Sequence, residues 1–231
     1  MGGKTVKVSI IVPVYNEERT IEELVRRLKE VPLEKEIIIV DDGSTDGTKE
    51  ILKKIKDPEF RIFTLPRNFG KGAAIRAALP YVRGEVIVIQ DADLEYNPSE
   101  LPELLKPILE GKEEVVYGSR FLRGRPRMRP LNFIANKILA WTASLLLGRR
   151  LTDEATCYKA FKTSLLRSLN LRCKGFEFCP EVTAKIGRKG IRIRELAISY
   201  TPRTKKEGKK VKWKDGFIAL YTLFKYRFFS W

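Results

Sequence analysis

The run Val86-Ile87-Val88-Ile89-Gln90-Asp91-Ala92-Asp93-Leu94-Glu95-Tyr96 holds the most pointed chemistry in the chain. Four β-branched residues read as a buried parallel strand, which stops at carboxylates where it should meet a loop. If the backbone stays extended past that stop, a period of two puts Asp91 and Asp93 on one side, able to share a hard divalent cation. Glu95 continues the alternation as a third oxygen ligand. The competing reading is an acidic loop capping a helix that starts near Pro98.

A second acidic stop is Asp41-Asp42-Gly43-Ser44-Thr45-Asp46-Gly47-Thr48. Its carboxylates suit donors on a base or ribose, as an acidic residue beyond a Rossmann strand takes a ribose hydroxyl. The same residues also spell a tight turn with an Asp or Thr helix cap. A diphosphate-linked ligand fits the pair of stops better than a bare metal, because a divalent ion with few protein oxygens completes its shell with phosphate oxygens.

The elements that must position these groups alternate. Strands are predicted over 6–12, ended by Pro13, and over 36–40, 61–65, 86–89 and 115–117. Helices follow over 21–28, where Thr20 and Glu23 have capping-box spacing, then 51–55, 72–82 and 98–111, the last opened by Asn97-Pro98. Such alternation predicts an α/β fold, a mostly parallel sheet covered on both faces, with ligands at the carboxyl ends of the strands. Past Arg120 comes an Arg/Pro/Gly loop over 121–130 and an amphipathic helix over 131–147. Short strands near 157–161 and 191–198 flank helices over 164–169 and 180–188, and a basic loop covers 201–214.

With 231 residues, 43% of them hydrophobic, the chain can bury the core of one large domain. Lys and Arg number 45 against 29 Asp and Glu, a net charge of +16, which points to anionic partners. Histidine is absent, which removes Ser-His-Asp and Cys-His catalysis and His-bearing zinc sites. Three cysteines without C-x-x-C spacing suit a reducing compartment. No signal peptide is expected at the start, and the apolar run over 138–147 is shorter than the roughly 20 residues of a spanning helix. No nucleic-acid reader motif is present, so no nucleic-acid partner is expected.

Pro13-Val14-Tyr15-Asn16-Glu17, Asp41-Asp42-Gly43-Ser44, Asn68-x-Gly70-Lys71-Gly72 and Asp91-Ala92-Asp93, in this order, resemble the family 2 glycosyltransferases of GT-A fold. Within them the chain looks like the dolichyl-phosphate mannose synthases and related polyprenyl-phosphate glycosyltransferases. Gly118-Ser119-Arg120, Leu151-Thr152-Asp153 and the basic 202–215 segment extend the likeness over nearly the whole chain. The resemblance implies a Rossmann-like GT-A sheet in which Asp42 reads the base and Pro13, Tyr15 and Glu17 line the nucleotide pocket, with Lys71 nearby. It also implies that Asp91 and Asp93 hold Mg2+ or Mn2+ against the diphosphate. Mannose synthases commonly carry Gln two residues after D-x-D, whereas this chain has Glu95. That leaves the donor open between GDP-mannose and UDP-glucose or another UDP-sugar. The family's Gly-x-Ser-Lys is altered here to Gly208-Lys209-Lys210.

On this reading the chain moves a hexose, with inversion, from a nucleotide-diphosphate sugar to a polyprenyl or dolichyl phosphate. A lipid monophosphate, with a second pKa of about 6, attacks without a general base. Arg120 contacts the donor diphosphate or the acceptor phosphate, and Arg203, Lys209 and Lys210 clamp from the basic loop, unless these cations form only a solvated face. Asp153 orients the acceptor side or caps a helix. Residues 1–214 then form the catalytic domain and 215–231 an aromatic amphipathic helix tipped by Lys225 and Arg227. That helix lies in a membrane interface or packs on the domain or a second subunit. The expected location is cytoplasmic, peripheral to the membrane's cytoplasmic face. Two rivals stand: a saccharide or protein acceptor with Asp153 or Glu177 as base, and a basic nucleic-acid-binding protein.

Overall fold

The computed structural model describes residues 6–203 and 213–229. Its strands are β1 (Val8–Val14), β2 (Lys35–Asp41), β3 (Phe60–Thr64), β4 (Val86–Ile89), β5 (Val115–Ser119), β6 (Lys159–Lys162) and β7 (Arg194–Ala197). They form one sheet in the order β3-β2-β1-β4-β6-β5-β7. In the central register Ile10 pairs with Ile37 on one side and Val88 on the other, all three fully buried. Continuous apolar runs are what a parallel strand needs when helices cover both faces.

The helices are α1 (Ile21–Glu30), α2 (Thr48–Lys53), α3 (Lys71–Ala78), α4 (Leu101–Leu109), α5 (Pro130–Leu147), α6 (Thr163–Ser168), α7 (Phe178–Arg188) and α8 (Trp213–Phe228). Among the described residues none is long and apolar enough to cross a membrane. The α/β, mostly parallel sheet predicted from alternation is present. β6 alone runs antiparallel to its neighbours β4 and β5. The chain enters β6 at the carboxyl edge, where Tyr158 Oη donates to Gln90 at the end of β4 (2.7 Å), and so must run downward.

Two local expectations change. Pro13 does not end β1, which continues to Val14. Gln90 N donates to Ile11 O on the β4 side, so by alternation Pro13 also faces that side, beyond the last β4 pair, and its missing N–H costs no ladder bond. The Thr20 capping box does not form: Thr20 Oγ1 donates to Glu17, and Glu23 pairs with Arg26 and Arg27. The last helix runs from Trp213 to Phe228, with Leu223 fully buried and Tyr226 nearly so. All three cysteines are free thiols.

Two glycines set the loops at the carboxyl edge. Gly43 has φ 70°, and a Cβ there would sit 2.5 Å from the Arg67 backbone. Gly70 has φ 101°, and a Cβ would meet Lys174 O at 2.4 Å. Only glycine allows both the left-handed backbone and these approaches, which press the loop after β2 against the loop after β3 and that loop against the segment before α7.

Candidate active site

Four strand ends deliver polar groups to one edge. At the end of β2, Asp41 is fully buried; its Oδ1 accepts Ser44 N (3.0 Å), while Oδ2 is buried with no hydrogen-bond partner. Asp42 accepts the N–H groups of Phe69 (2.8 Å) and Gly70 (2.7 Å). Burial raises its carboxyl and those N–H groups only partly pull it back. Asp42 therefore shapes the loop leading into Lys71, and its neighbour Asp41 holds the buried acceptor that lacks a donor. The loop after β1 is laced to the loop after β2: Asn16 N donates to Ser44 Oγ (2.9 Å) and Glu17 N to Thr48 Oγ1 (2.9 Å). This fixes Tyr15 and Glu17 beside the Asp41-Asp42 pair.

β4 stops at Ile89, two residues before Asp91, and the backbone then turns, with Leu94 at φ 59°. Strand alternation therefore does not bring Asp91 and Asp93 together; a turn does. Asp93 is pushed up to about 7, by burial first and then by the charges of Asp91 and Glu95. Lys71, the first residue of α3, reaches across with Nζ 2.6 Å from Asp91 Oδ1 and 2.7 Å from Oδ2. Glu95 gives one oxygen to Tyr200 Oη (2.9 Å) and the other to Arg203 N (2.7 Å), anchoring the segment that follows β7. Arg203 in turn donates from Nε to Asp93 O (2.8 Å) and from Nη2 to Glu17. One side chain thus ties the β1 loop to the acidic turn.

Among the described residues no three His, Cys, Asp or Glu side chains are grouped as a complete metal cage. The donor set nonetheless fits a hard cation. It is all oxygen, its carboxylates repel one another, and a diphosphate would complete the shell.

At the end of β5, Arg120 is nearly buried and meets Asp153, itself fully buried. Arg120 donates to it from N (3.0 Å), Nε (2.7 Å) and Nη2 (2.7 Å), and the guanidinium lies 5.1 Å from the Tyr200 ring centre. Its Nη1 makes no hydrogen bond to a described residue, so one donor edge of a rigid, pre-aimed cation stays available to an anion. Asp153 holds this arginine. Asp153 is held by Glu195 of β7, whose carboxylate accepts Asp153 N (2.9 Å), Thr152 N (2.7 Å) and Thr152 Oγ1 (2.9 Å). Glu195 is not singled out by the sequence reading, although its place on the same alternating face as Ile191 and Ile193 was a signal. Lys209 and Lys210 lie outside the described residues.

A family model, glycosyl transferase family 2, matches residues 9–169, which span β1 to α6 and contain both acidic stops, Lys71, Arg120 and Asp153. The chain belongs to this family. It is 31% identical over 216 residues to an undecaprenyl-phosphate mannosyltransferase of Micrococcus luteus, covering 88% of this chain and 87% of that protein. It is 30% identical over 211 residues to a dodecaprenyl-phosphate galacturonate synthase of Rhizobium johnstonii, 87% of this chain but only 60% of that protein. Several of the curated relatives it matches are thus much longer than the chain. In fold, this glycosyl transferase family 2 member is similar to glucosyl-3-phosphoglycerate synthase from Mycobacterium tuberculosis. That structure, in complex with Mn2+, UDP-glucose and phosphoglyceric acid, gives a TM-score of 0.71 at 22% identity, over 96% of this chain and 79% of the other.

Proposed function

We propose that the chain transfers a hexose, with inversion, from a nucleotide-diphosphate sugar to a polyprenyl phosphate at a membrane surface. The observation that carries this is the pairing, on one sheet edge, of a crowded carboxylate turn with a separate, pre-aimed arginine. The turn suits a metal-bound diphosphate, and the free Nη1 of Arg120 suits a second phosphate. The names of the relatives, undecaprenyl-phosphate mannosyltransferase among them, support a lipid phosphate as the second.

Asp91 and Asp93, with Glu95 beside them, would hold Mg2+ or Mn2+, which when bound neutralises charge on the departing nucleoside diphosphate. Asp41 and Asp42, beside Tyr15 and Glu17, offer acceptors to base and ribose. Arg120 orients the acceptor phosphate, and Asp153 and Glu195 keep its fork from rotating. Arg203 adds positive charge between Glu17 and the acidic turn. The acceptor oxygen is already ionised near neutral pH and attacks the anomeric carbon without a general base.

The apolar surface supports a membrane location. On α5, Leu131, Ile134, Ile138, Trp141 and Leu145 recur at intervals of three and four and are all exposed, Trp141 at 66%. Phe217, Tyr221, Phe224 and Phe228 are likewise exposed on α8, which packs against α5 and α7. Large contiguous apolar surface of this kind marks a contact with lipid or protein, and the net charge of +16 favours anionic lipid.

Radiolabelled GDP- and UDP-sugars, offered with a polyprenyl phosphate and Mg2+ or Mn2+, test the proposal. Label should pass to the organic phase from one donor class and stop with chelator. Failure of every donor, or transfer only to a soluble saccharide, would overturn it.

A further inference from the structure

The helices α5, α7 and α8 end together near the start of β7. Arg227 of α8 donates Nε to Leu146 O at the end of α5 (2.6 Å), and Arg188 at the end of α7 donates to Phe229 O beyond α8 (3.0 Å). Between them lies a recess of about 210 Å3, whose walls include Leu147, Ile191 and Ile193 and whose cations are Arg149, Arg150 and Arg227. Among the described residues no carboxylate lines it. A neighbouring recess shares Arg149 but contains Glu113 and Glu114, so the uncompensated charge belongs to the first.

Converging helix C-termini account for part of this basic character. Each carries about −0.5 of an elementary charge. Arg227, already bound to the Leu146 carbonyl, suffices for most of the three. Arg149 and Arg150, both exposed, have no carboxylate partner and no side-chain hydrogen bond among the described residues. An apolar floor beneath two unneutralised guanidinium groups suits an amphipathic anion better than a carboxylate side chain or a fully hydrated ion. The recess lies at the C-terminal end of α5, the helix that carries the exposed stripe.

We propose that this recess binds the phosphate headgroup of an anionic phospholipid in the bilayer on which α5 and α8 rest. It rests on the membrane reading above. Arg149 and Arg150 bracket the phosphate as paired forks, and the apolar floor meets the first carbons of the lipid. The chain would then touch the membrane at two separated places, the apolar stripe and this charged end. Two such contacts fix the tilt of the catalytic edge relative to the surface, where one alone leaves rotation free.

Vesicle flotation of the full chain tests this, comparing phosphatidylcholine with phosphatidylcholine doped with phosphatidylglycerol. The wild type should bind both and prefer the doped vesicles. Each basic residue near an anionic surface strengthens binding by roughly fivefold, so Arg149→Gln with Arg150→Gln should weaken binding to doped vesicles by about 25-fold and leave neutral vesicles unaffected. Both arginines are exposed, so the fold is preserved, as circular dichroism should confirm. A preference for doped vesicles that survives the double substitution would overturn the proposal. Wild-type binding without preference would overturn it while leaving the membrane reading intact, whereas no binding to either vesicle would remove both. Inorganic phosphate bound by the wild type and not by the double variant, without vesicle preference, would reassign the recess to a soluble phosphate and overturn the lipid assignment.

Discussion

The two edges of the sheet treat buried carboxylates in opposite ways. At the amino edge, Glu36 is 1% exposed yet accepts Ser9 Oγ (2.6 Å), Arg83 N (2.6 Å), Arg83 Nε (2.9 Å) and Arg61 Nη1 (3.1 Å). Burial pushes its carboxyl up, but these donors together hold it below its usual value. At the carboxyl edge, Asp93 is pushed up to about 7 and Asp41 keeps a buried oxygen without a donor. The first edge completes its own charge balance. The second leaves the balance to a ligand, and that asymmetry separates a structural carboxylate from a functional one better than burial does.

The contrast breaks most sharply at Asp93. Asp93→Asn should lower turnover by at least about 100-fold, the scale of losing a group that stabilises developing charge, while thermal stability holds or rises because a repelled carboxylate is gone. A variant that loses stability with activity would place Asp93 among structural residues. Glu36→Gln should do the reverse, costing about 2 kcal/mol through weakened charge-assisted bonds, a fall of roughly 4–8 °C in Tm, with turnover per folded molecule unchanged. A specific loss of turnover there would erase the distinction between the edges.

A smaller effect should sharpen the same comparison on the acceptor side. Glu195→Gln keeps the shape but turns one acceptor of Thr152 and Asp153 into a donor. The loop that aims Arg120 then loosens, and kcat/KM for the lipid phosphate should fall about tenfold through KM, with the nucleotide-sugar KM unmoved. Equal changes in both constants, or a loss of stability alone, would reduce Glu195 to packing.

Much of this was legible in the residues because it is local. β-branched runs, acidic stops and turn glycines state strand, loop and strand end within a few positions, and they gave the α/β sheet and the edge on which the site lies. What was hidden depends on partners far apart in the chain. Lys71 meets Asp91, Arg203 meets Glu17, and Glu195 meets Thr152 and Asp153 only once the sheet is assembled. D-x-D reads the same in an extended strand end and in the turn that groups Asp91 with Asp93, so the residues alone do not separate the two. Helix α5 misled differently: its periodicity shows an apolar face but not that a second one, from Leu131 to Leu145, remains exposed.

The smallest expected effect is also the most direct reading of the edge contrast, because it needs no substrate. In chelator, folded Asp93 titrates near 7 against an ordinary value of 3.8. The folded chain therefore holds a proton that the unfolded chain has released between those values. Its contribution to stability is full below about 4 and is lost as pH rises through 7. On acidification from pH 8 to pH 6, the wild type should gain about 1 kcal/mol relative to Asp93→Asn, near 3 °C in Tm. Glu36 has the opposite sign: its carboxyl is held low, so its stabilisation is present across this window and is lost only as pH falls below the ordinary value of 4.5. Glu36→Gln should accordingly run parallel to the wild type between pH 6 and 8. Parallel curves for Asp93→Asn and the wild type would mean that the acidic turn carries no unbalanced charge, and the distinction between the two edges would fail.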